Sequence, residues 1–226
     1  MIIDLHVHSS YSFDSVMAPK KLIKVALKRG FDGIAVLDHD NIKGAITAIR
    51  ENNNRNFRII PGCEINTEIG EIAALFIKTK PKTKNSIELI EEIKDLGGIS
   101  VLTHPYRSRI LNKEVIRKID ALEAFNSHTQ NILNLKAFYT AKKFHKPITA
   151  GSDAHLSIEI GNVKLLCEED IYGSILKNKL KILHFKTSYN CIKQASQIIK
   201  GFKTKNFNTI MMAVYSSVRS PIKFNS

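Results

Sequence analysis

Six of the eight histidines in this 226-residue chain follow directly on short apolar runs of the kind that form β-strands. They are His6 and His8 in Ile-Asp-Leu-His-Val-His, His39 in Val-Leu-Asp-His-Asp, His104 in Val-Leu-Thr-His-Pro, His128 in Phe-Asn-Ser-His and His155 in Gly-Ser-Asp-Ala-His. Asp14, Glu64 and Asp153 stand among them, while His145 and His184 fall outside the pattern. Side chains at the ends of many strands converge on one point when those strands run parallel and the sheet curls into a barrel. Imidazoles and carboxylates gathered there make a metal centre, and this many make more than one site.

The segments between the runs agree with that topology. Strand-like residues occupy 2–5, 33–37, 57–60, 72–77, 99–102, 121–125, 146–149 and 162–166. Helical segments lie between them at 19–29, opened by Pro19 and closed by Gly30, then at about 40–52 with Asp40 as N-cap, 85–96, 113–118 and 129–144. Repeated β-then-α order implies parallel strands joined by right-handed helical crossovers. The run 72–77 has no ligand-like residue at its end and reads as a hairpin partner of 57–60, which makes the barrel irregular.

Apolar residues make up 43% of the chain, enough for a substantial core. The expected organisation is a barrel with its metal site over residues 1–170 and a helical, basic extension over 171–226. That extension holds ten Lys or Arg and no Asp or Glu, so it carries ten of the thirteen net positive charges. Helical spacing is visible at 170–179, 190–200 and 208–218, the last apolar enough to need a partner surface. The lysines suit either a phosphate-rich partner such as nucleic acid or a plain solvated face. No leader peptide and no membrane-length apolar stretch is evident. Three widely spaced cysteines, Cys63, Cys167 and Cys191, suit a reduced cytoplasm rather than a disulfide framework. Oligomeric state is left open.

His6 and His8, two apart at a strand end, share a face and can bind one ion, and Asp153 and His155 repeat the spacing. The motifs Asp4-Leu5-His6-Val7-His8, Val36-Leu37-Asp38-His39-Asp40, Pro61-Gly62-Cys63-Glu64, Thr103-His104-Pro105, Asn126-Ser127-His128 and Gly151-Ser152-Asp153-Ala154-His155 come in an order that closely resembles the polymerase-and-histidinol-phosphatase (PHP) family, over residues 1 to about 165. The resemblance implies a distorted (β/α)7 TIM-like barrel with two to three metals at the C-terminal ends of its strands. Carried over position by position, one ion would take His6, His8, Glu64 and Asp153. A second would share Glu64 and add His104 and His128, and a third would take Asp14, His39 and His155. The family usually has Ser-Asp-Gly near Asp14, where this chain has Ser12-Phe13-Asp14-Ser15.

Mixed imidazole and carboxylate ligands favour zinc, manganese or iron over calcium or magnesium. Metal-activated water is then the nucleophile, and no Ser/His/Asp or cysteine nucleophile motif is present. The expected activity is hydrolysis of a phosphate ester, with Glu64 and Asp153 at the catalytic centre and Arg107 at the rim as a phosphate contact or a salt bridge. A phosphomonoester is the first-choice substrate. Histidinol phosphate, a nucleotide or oligonucleotide end, and a non-catalytic metal-stabilised binding module are the alternatives. Asp38 reads as an acceptor for a neighbouring imidazole or as a strand end. Cys63 reads as core.

Overall fold

The computed structural model describes residues 1–107 and 111–219, and Lys223 of the basic tail lies outside them. Along the described residues the elements are β1 (Ile2–Val7), α1 (Pro19–Lys28), β2 (Gly33–Val36), α2 (Lys43–Glu51), β3 (Arg58–Thr67), β4 (Gly70–Leu75), α3 (Ser86–Asp95), β5 (Ile99–Leu102) and α4 (Lys113–Lys118). After them come β6 (Ala121–Asn126), α5 (Asn131–Lys143), β7 (Ile148–Gly151), β8 (Val163–Leu166), α6 (Ile171–Leu176), β9 (Lys181–Phe185), α7 (Asn190–Lys203) and α8 (Phe207–Arg219). All nine strands join one sheet in the order β7-β6-β5-β4-β3-β2-β1-β8-β9.

β1, β2 and β3 run parallel, as do β5, β6 and β7, while β4 is antiparallel to both β3 and β5. The hairpin expected for 72–77 is therefore present. The sheet curls until the segment after β7 meets β1. Val7 bridges Ala154, His8 N–H donates to Ala154 O at 2.9 Å, and Asp153 N–H donates to His6 O at 2.8 Å. Lower on the same edge, Ile2 and Ile3 pair with antiparallel β8. The barrel is thus closed at the end that carries the histidines and spread at the other by β8 and β9.

Two core layers follow from the alternation of side chains along each strand. Ile3, Leu5, Leu37, Ile60, Leu75, Ile99 and Val101 fill the interior. Outside, Leu22 and Ala26 of α1 and Ala45 and Ala48 of α2 cover Val7, Ile34 and Val36, and Leu89 and Ile93 of α3 lie with Cys63 and Ile65. Cys63 is core, as its sequence position implies. The register of β1 against β2 shifts between Asp4 and Val7, which inserts one residue into β1. That bulge lets His6 and His8 continue the inward face begun by Ile3 and Leu5, with Val7 turned to the outer layer.

Three local expectations are corrected. α2 is capped at Ile42 with no side-chain cap bond, and Asp40 lies in a left-handed turn (φ 50°) with its carboxylate on Lys84 Nζ at 2.8 Å. β7 begins at Ile148, after Pro147, which has no N–H to give to a ladder, and Lys146 donates its ammonium to the carbonyls of Arg117 and Ile119. The extension after residue 170 contains a strand as well as helices: β9 pairs antiparallel with β8 and extends the sheet. No helix among the described residues is long and apolar enough to cross a membrane.

Candidate metal centre

The candidate centre forms because strand ends deliver most of the possible ligands, and neighbouring residues hold the outer atom of His6, Glu64 and Asp153, leaving the inner atom free. His6 Nδ1 donates to Glu123 Oε1 at 2.8 Å, since a carboxylate can only accept, so the lone pair of Nε2 points inward. Glu64 Oε1 accepts from Thr103 Oγ1 at 2.6 Å. Asp153 Oδ2 accepts from Arg107 Nη1 at 2.7 Å and Asn126 Nδ2 at 3.2 Å. What remains inside is His6 Nε2 and His8 Nε2, 3.1 Å apart, with Asp153 Oδ1 3.1 Å from His8 Nε2. Glu64 Oε2 lies 3.5 Å and 3.7 Å from the same two nitrogens. All four residues are buried.

Glu64 Oε2, His8 Nδ1 and both ring nitrogens of His104 are buried without a hydrogen-bond partner. An unpartnered buried carboxylate oxygen facing two imidazole nitrogens is costly unless a cation joins them. The donor set and the orphaned atoms both fit a divalent metal.

A second group lies beside the first. Asp14 Oδ2 is 3.1 Å from both His39 Nε2 and His155 Nε2, and Asp14 Oδ1 accepts from Ser12 Oγ at 2.6 Å. His39 Nδ1 faces Glu64 Oε2 at 3.2 Å, tying the two groups together through the His39–Glu64 bridge between chain segments. His155 Nδ1 donates to Asp153 O at 2.7 Å. His104 Nε2 is 3.3 Å from Glu64 Oε1 and 3.4 Å from Glu71 Oε2. His128 stands apart from the Glu64–His104 pair expected to share an ion with it. Its Nε2 meets Glu159 Oε1, and its ring stacks on His155 at 5.2 Å.

Among the described residues, four groups have ligand atoms within 4.8 Å of one another: His8, Asp14, His39 and His155; His6, His8 and Glu64; His128, His155 and Glu159; and His39, Glu64 and Glu71. Of the nine ligand candidates, these groups contain His6, His8, Asp14, His39, Glu64, His128 and His155, while His104 and Asp153 join through their contacts with Glu64 and with His8. His145 and His184 are in none of these groups.

Electrostatics reflect the packing. Burial lowers the His8 pKa to about 3, with the neighbouring His155 adding to the effect. Burial would also depress His6, yet Glu123, Glu64 and Asp153 outweigh it and raise its pKa well above the usual range. Burial pushes Glu64 and Asp153 upward, but the facing His6 holds both carboxyls well below the ordinary carboxylate range, with Arg107 assisting at Asp153. A cation entering here would displace a proton from His6, would find His8 already neutral, and would meet carboxylates already ionised.

Backbone geometry is unusual at the same place. His104 (φ 28°) and Asp153 (φ 53°) are left-handed, a conformation that structures keep where the surroundings over-determine it. Gly151 is required by close approach, because a Cβ there would lie 2.2 Å from that of His6.

Several participants are not among the sequence-derived candidates. Glu123 holds His6, Glu71 flanks His39 and His104, and Glu159 holds His128 and accepts from the His155 N–H at 2.9 Å. Asp4 accepts from the His6 and Ser152 N–H groups, and burial pushes its carboxyl up to about 6. A charged residue inside an otherwise apolar strand is a usable signal for Glu123 and Asp4. Asp38 serves Ser9, accepting from its N–H and Oγ at 2.6 Å each, rather than an imidazole.

Comparison with known proteins agrees with this assembly. Two uncharacterized proteins of Methanocaldococcus jannaschii are similar in sequence. One is 34% identical over 146 residues (58% of this chain, 85% of the relative), and the other 32% identical over 225 residues (91% and 88%). A 5'-3' exoribonuclease of Haemophilus influenzae is 29% identical over 103 residues, 43% of this chain and 37% of that protein. A two-domain protein of Bacteroides vulgatus containing a predicted PHP-like metal-dependent phosphoesterase shares the fold with TM-score 0.69 at 15% identity, covering 87% of this chain and 68% of that one. An amidohydrolase of Chromobacterium violaceum with bound sulfate does so with TM-score 0.62 at 16% identity, covering 80% and 97%. The family model for the PHP domain matches residues 4–158, the stretch that contains every ligand group described above except Glu159, and the chain belongs to that family.

Proposed function

We propose that this protein is a metal-dependent phosphoesterase with a phosphomonoester as its first-choice substrate. The observation that carries the reading is the inward meeting of His6 Nε2, His8 Nε2, Asp153 Oδ1 and the unpartnered Glu64 Oε2. Two to three ions of zinc, manganese or iron would be held: by His6, His8, Glu64 and Asp153; by Glu64 and His104, with His128 at the edge; and by Asp14, His39 and His155. When bound, such ions supply a water-derived nucleophile at neutral pH and neutralise charge on the phosphoryl oxygens.

The chain's own residues prepare for that chemistry. Glu123 fixes the tautomer of His6, and the Asp153 carbonyl fixes that of His155. Arg107, its charge reinforced by Asp153 and Glu71, offers its remaining donors to the phosphoryl group. A barrel over 1–170, a basic extension over 171–226 and a cytoplasmic setting belong to the same proposal, the last supported by three free thiols.

The test is phosphate release from p-nitrophenyl phosphate with added Mn²⁺ or Zn²⁺, followed by a screen of sugar phosphates, histidinol phosphate, nucleotides and short oligonucleotides. Metal-dependent turnover of monoesters is expected. Metal binding without turnover of any substrate would overturn the enzyme and leave a binding module. The local similarity to an exoribonuclease and the lysine-rich extension favour one second reading, cleavage at an oligonucleotide end. It would be supported by preferential turnover of the oligonucleotides in the same screen.

A further inference from the structure

Asp14 reaches the centre on a loop of turns, residues 9–17, that joins β1 to α1 rather than on a strand. The loop has some bonds of its own. Ser10 N–H donates to Met17 O at 2.7 Å, Ser12 N–H to Ser9 O at 3.0 Å, and Ser15 Oγ to the carbonyls of His8 and His155. Three main-chain carbonyls of this loop remain turned to one point, those of Ser10, Ser12 and Ser15. That point is filled by the Nζ of Lys203, the last residue of α7, at 2.9, 2.8 and 2.6 Å. An ammonium has three donors and no acceptor, so all three are used here.

A second lysine of the same helix stripe grips the same loop. Lys200 Nζ lies 4.7 Å from the centroid of the Phe13 ring, and the other partner of that ring is His39, stacked at 4.6 Å and 7°. Phe13 is the residue that departs from the family's usual Ser-Asp-Gly, and it stands between a candidate ligand and the helix. The opposite end of α7 is also anchored. Ser188, just before the helix, donates N–H to Ser127 O at 2.8 Å and Oγ to Glu159 Oε1 at 2.7 Å, the carboxylate that holds His128. α7 therefore spans the side of the mouth that runs from His128 past His155 to Asp14.

We propose that α7 is a working part of the metal centre, in which Lys203, assisted by Lys200, acts as a positioning latch that holds the Asp14 loop where Asp14, His39 and His155 can share an ion. This rests on the multi-metal reading above for the identity of what is held, but the latch itself is a property of the loop. The lysines of the extension that stand at this site are internal fasteners rather than a free solvated face.

The test uses the full chain and reads the latch without metal first. Amide hydrogen exchange of Ser10 and Ser12 in metal-free protein should rise in Lys203→Met, return toward the starting level in Lys203→Arg, and stay unchanged in Lys177→Met, an exposed lysine of the same extension. Titration with Mn²⁺ should then show the weakest ion bound about tenfold more weakly in Lys203→Met, the scale set by loss of a charged hydrogen-bond donor, with the tighter ions unaffected. Unchanged loop exchange in a folded Lys203→Met protein would overturn the proposal. If that variant fails to fold, Lys200→Met reads the same loop: faster exchange at residues 12–14 supports the latch and no change overturns it. A wild-type chain that binds no metal would defeat the proposed function, while the exchange experiment would still decide the latch.

Discussion

The two halves of the candidate centre are built differently. His6, His8, Glu64 and Asp153 sit on strands or within two residues of a strand end, and sheet hydrogen bonds together with Glu123, Thr103, Asn126 and Arg107 fix both ends of most of their side chains. Asp14 hangs on a loop, His39 retains some exposure, and their geometry depends on Ser12, Phe13 and a helix outside the barrel. Topology alone places the first half. The second needs side-chain contacts between segments far apart in sequence, so it is the half in which substitution can adjust metal affinity without disturbing the barrel.

Breaking the strand-borne half should have the largest effect. Glu64→Ala removes a carboxylate shared by both halves and should reduce turnover to below about a tenth of wild type, with ion content falling by more than one. Asp14→Ala should cost one ion and leave the others. Elemental analysis of metal-loaded protein separates these results, and equal losses from both variants would erase the distinction. Glu123→Gln keeps the shape but weakens the hold on His6, and should weaken the tightest ion about 10–100-fold by titration calorimetry.

A pH dependence should sharpen the contrast. Burial opposes a proton on His39, but Asp14, Glu64 and Glu71 outweigh it and raise the pKa to about 9. Below that value a proton must leave His39 before an ion binds, and the pKa of His155 is raised as well, so affinity at the loop-borne half should rise with pH by at least about tenfold per unit, with the His39 contribution ending above about 9. Calorimetry in two buffers of different ionisation enthalpy would show the released proton, and a pH-independent affinity would refute it. The smallest effect is expected at Arg107. Arg107→Ala should raise KM up to about tenfold with ion content unchanged. Loss of an ion would instead show that its hold on Asp153 is needed for the ion and outweighs any contact with substrate.

The same contrast explains what could be read from sequence. The strand-end histidines, the irregular 72–77 hairpin and the shared face of His6 and His8 follow from alternation and order, which the chain displays locally, whereas the bulge in β1 that turns that face inward does not. The partnerships of Glu159 with His128 and Glu71 with His104 do not, because each is a choice among neighbours made only after folding. β9 was illegible for another reason. Ile182, Leu183 and His184 are all exposed, so the strand has no buried face and no alternation to reveal it. Asp40 looked like a cap because of its residue type, but the main chain at β2's end bends to serve Glu64 through the Asp40 N–H to Glu64 O bond at 2.8 Å.

The bridge between Val7 and Ala154 joins parts of the chain separated by nearly all of the barrel, and His8 meets Asp153 across 145 positions. Bringing such distant points together costs a loose chain about 4 kcal/mol of closure entropy. During synthesis from the N-terminus, His6 and His8 emerge first and have no carboxylate partner from β7 until the last strand of the barrel is made. A nascent chain therefore cannot assemble the proposed four-ligand pocket early. An ion captured afterwards would act as a staple across the whole barrel, so depleting metal should speed unfolding from the seam between the first strand and the seventh.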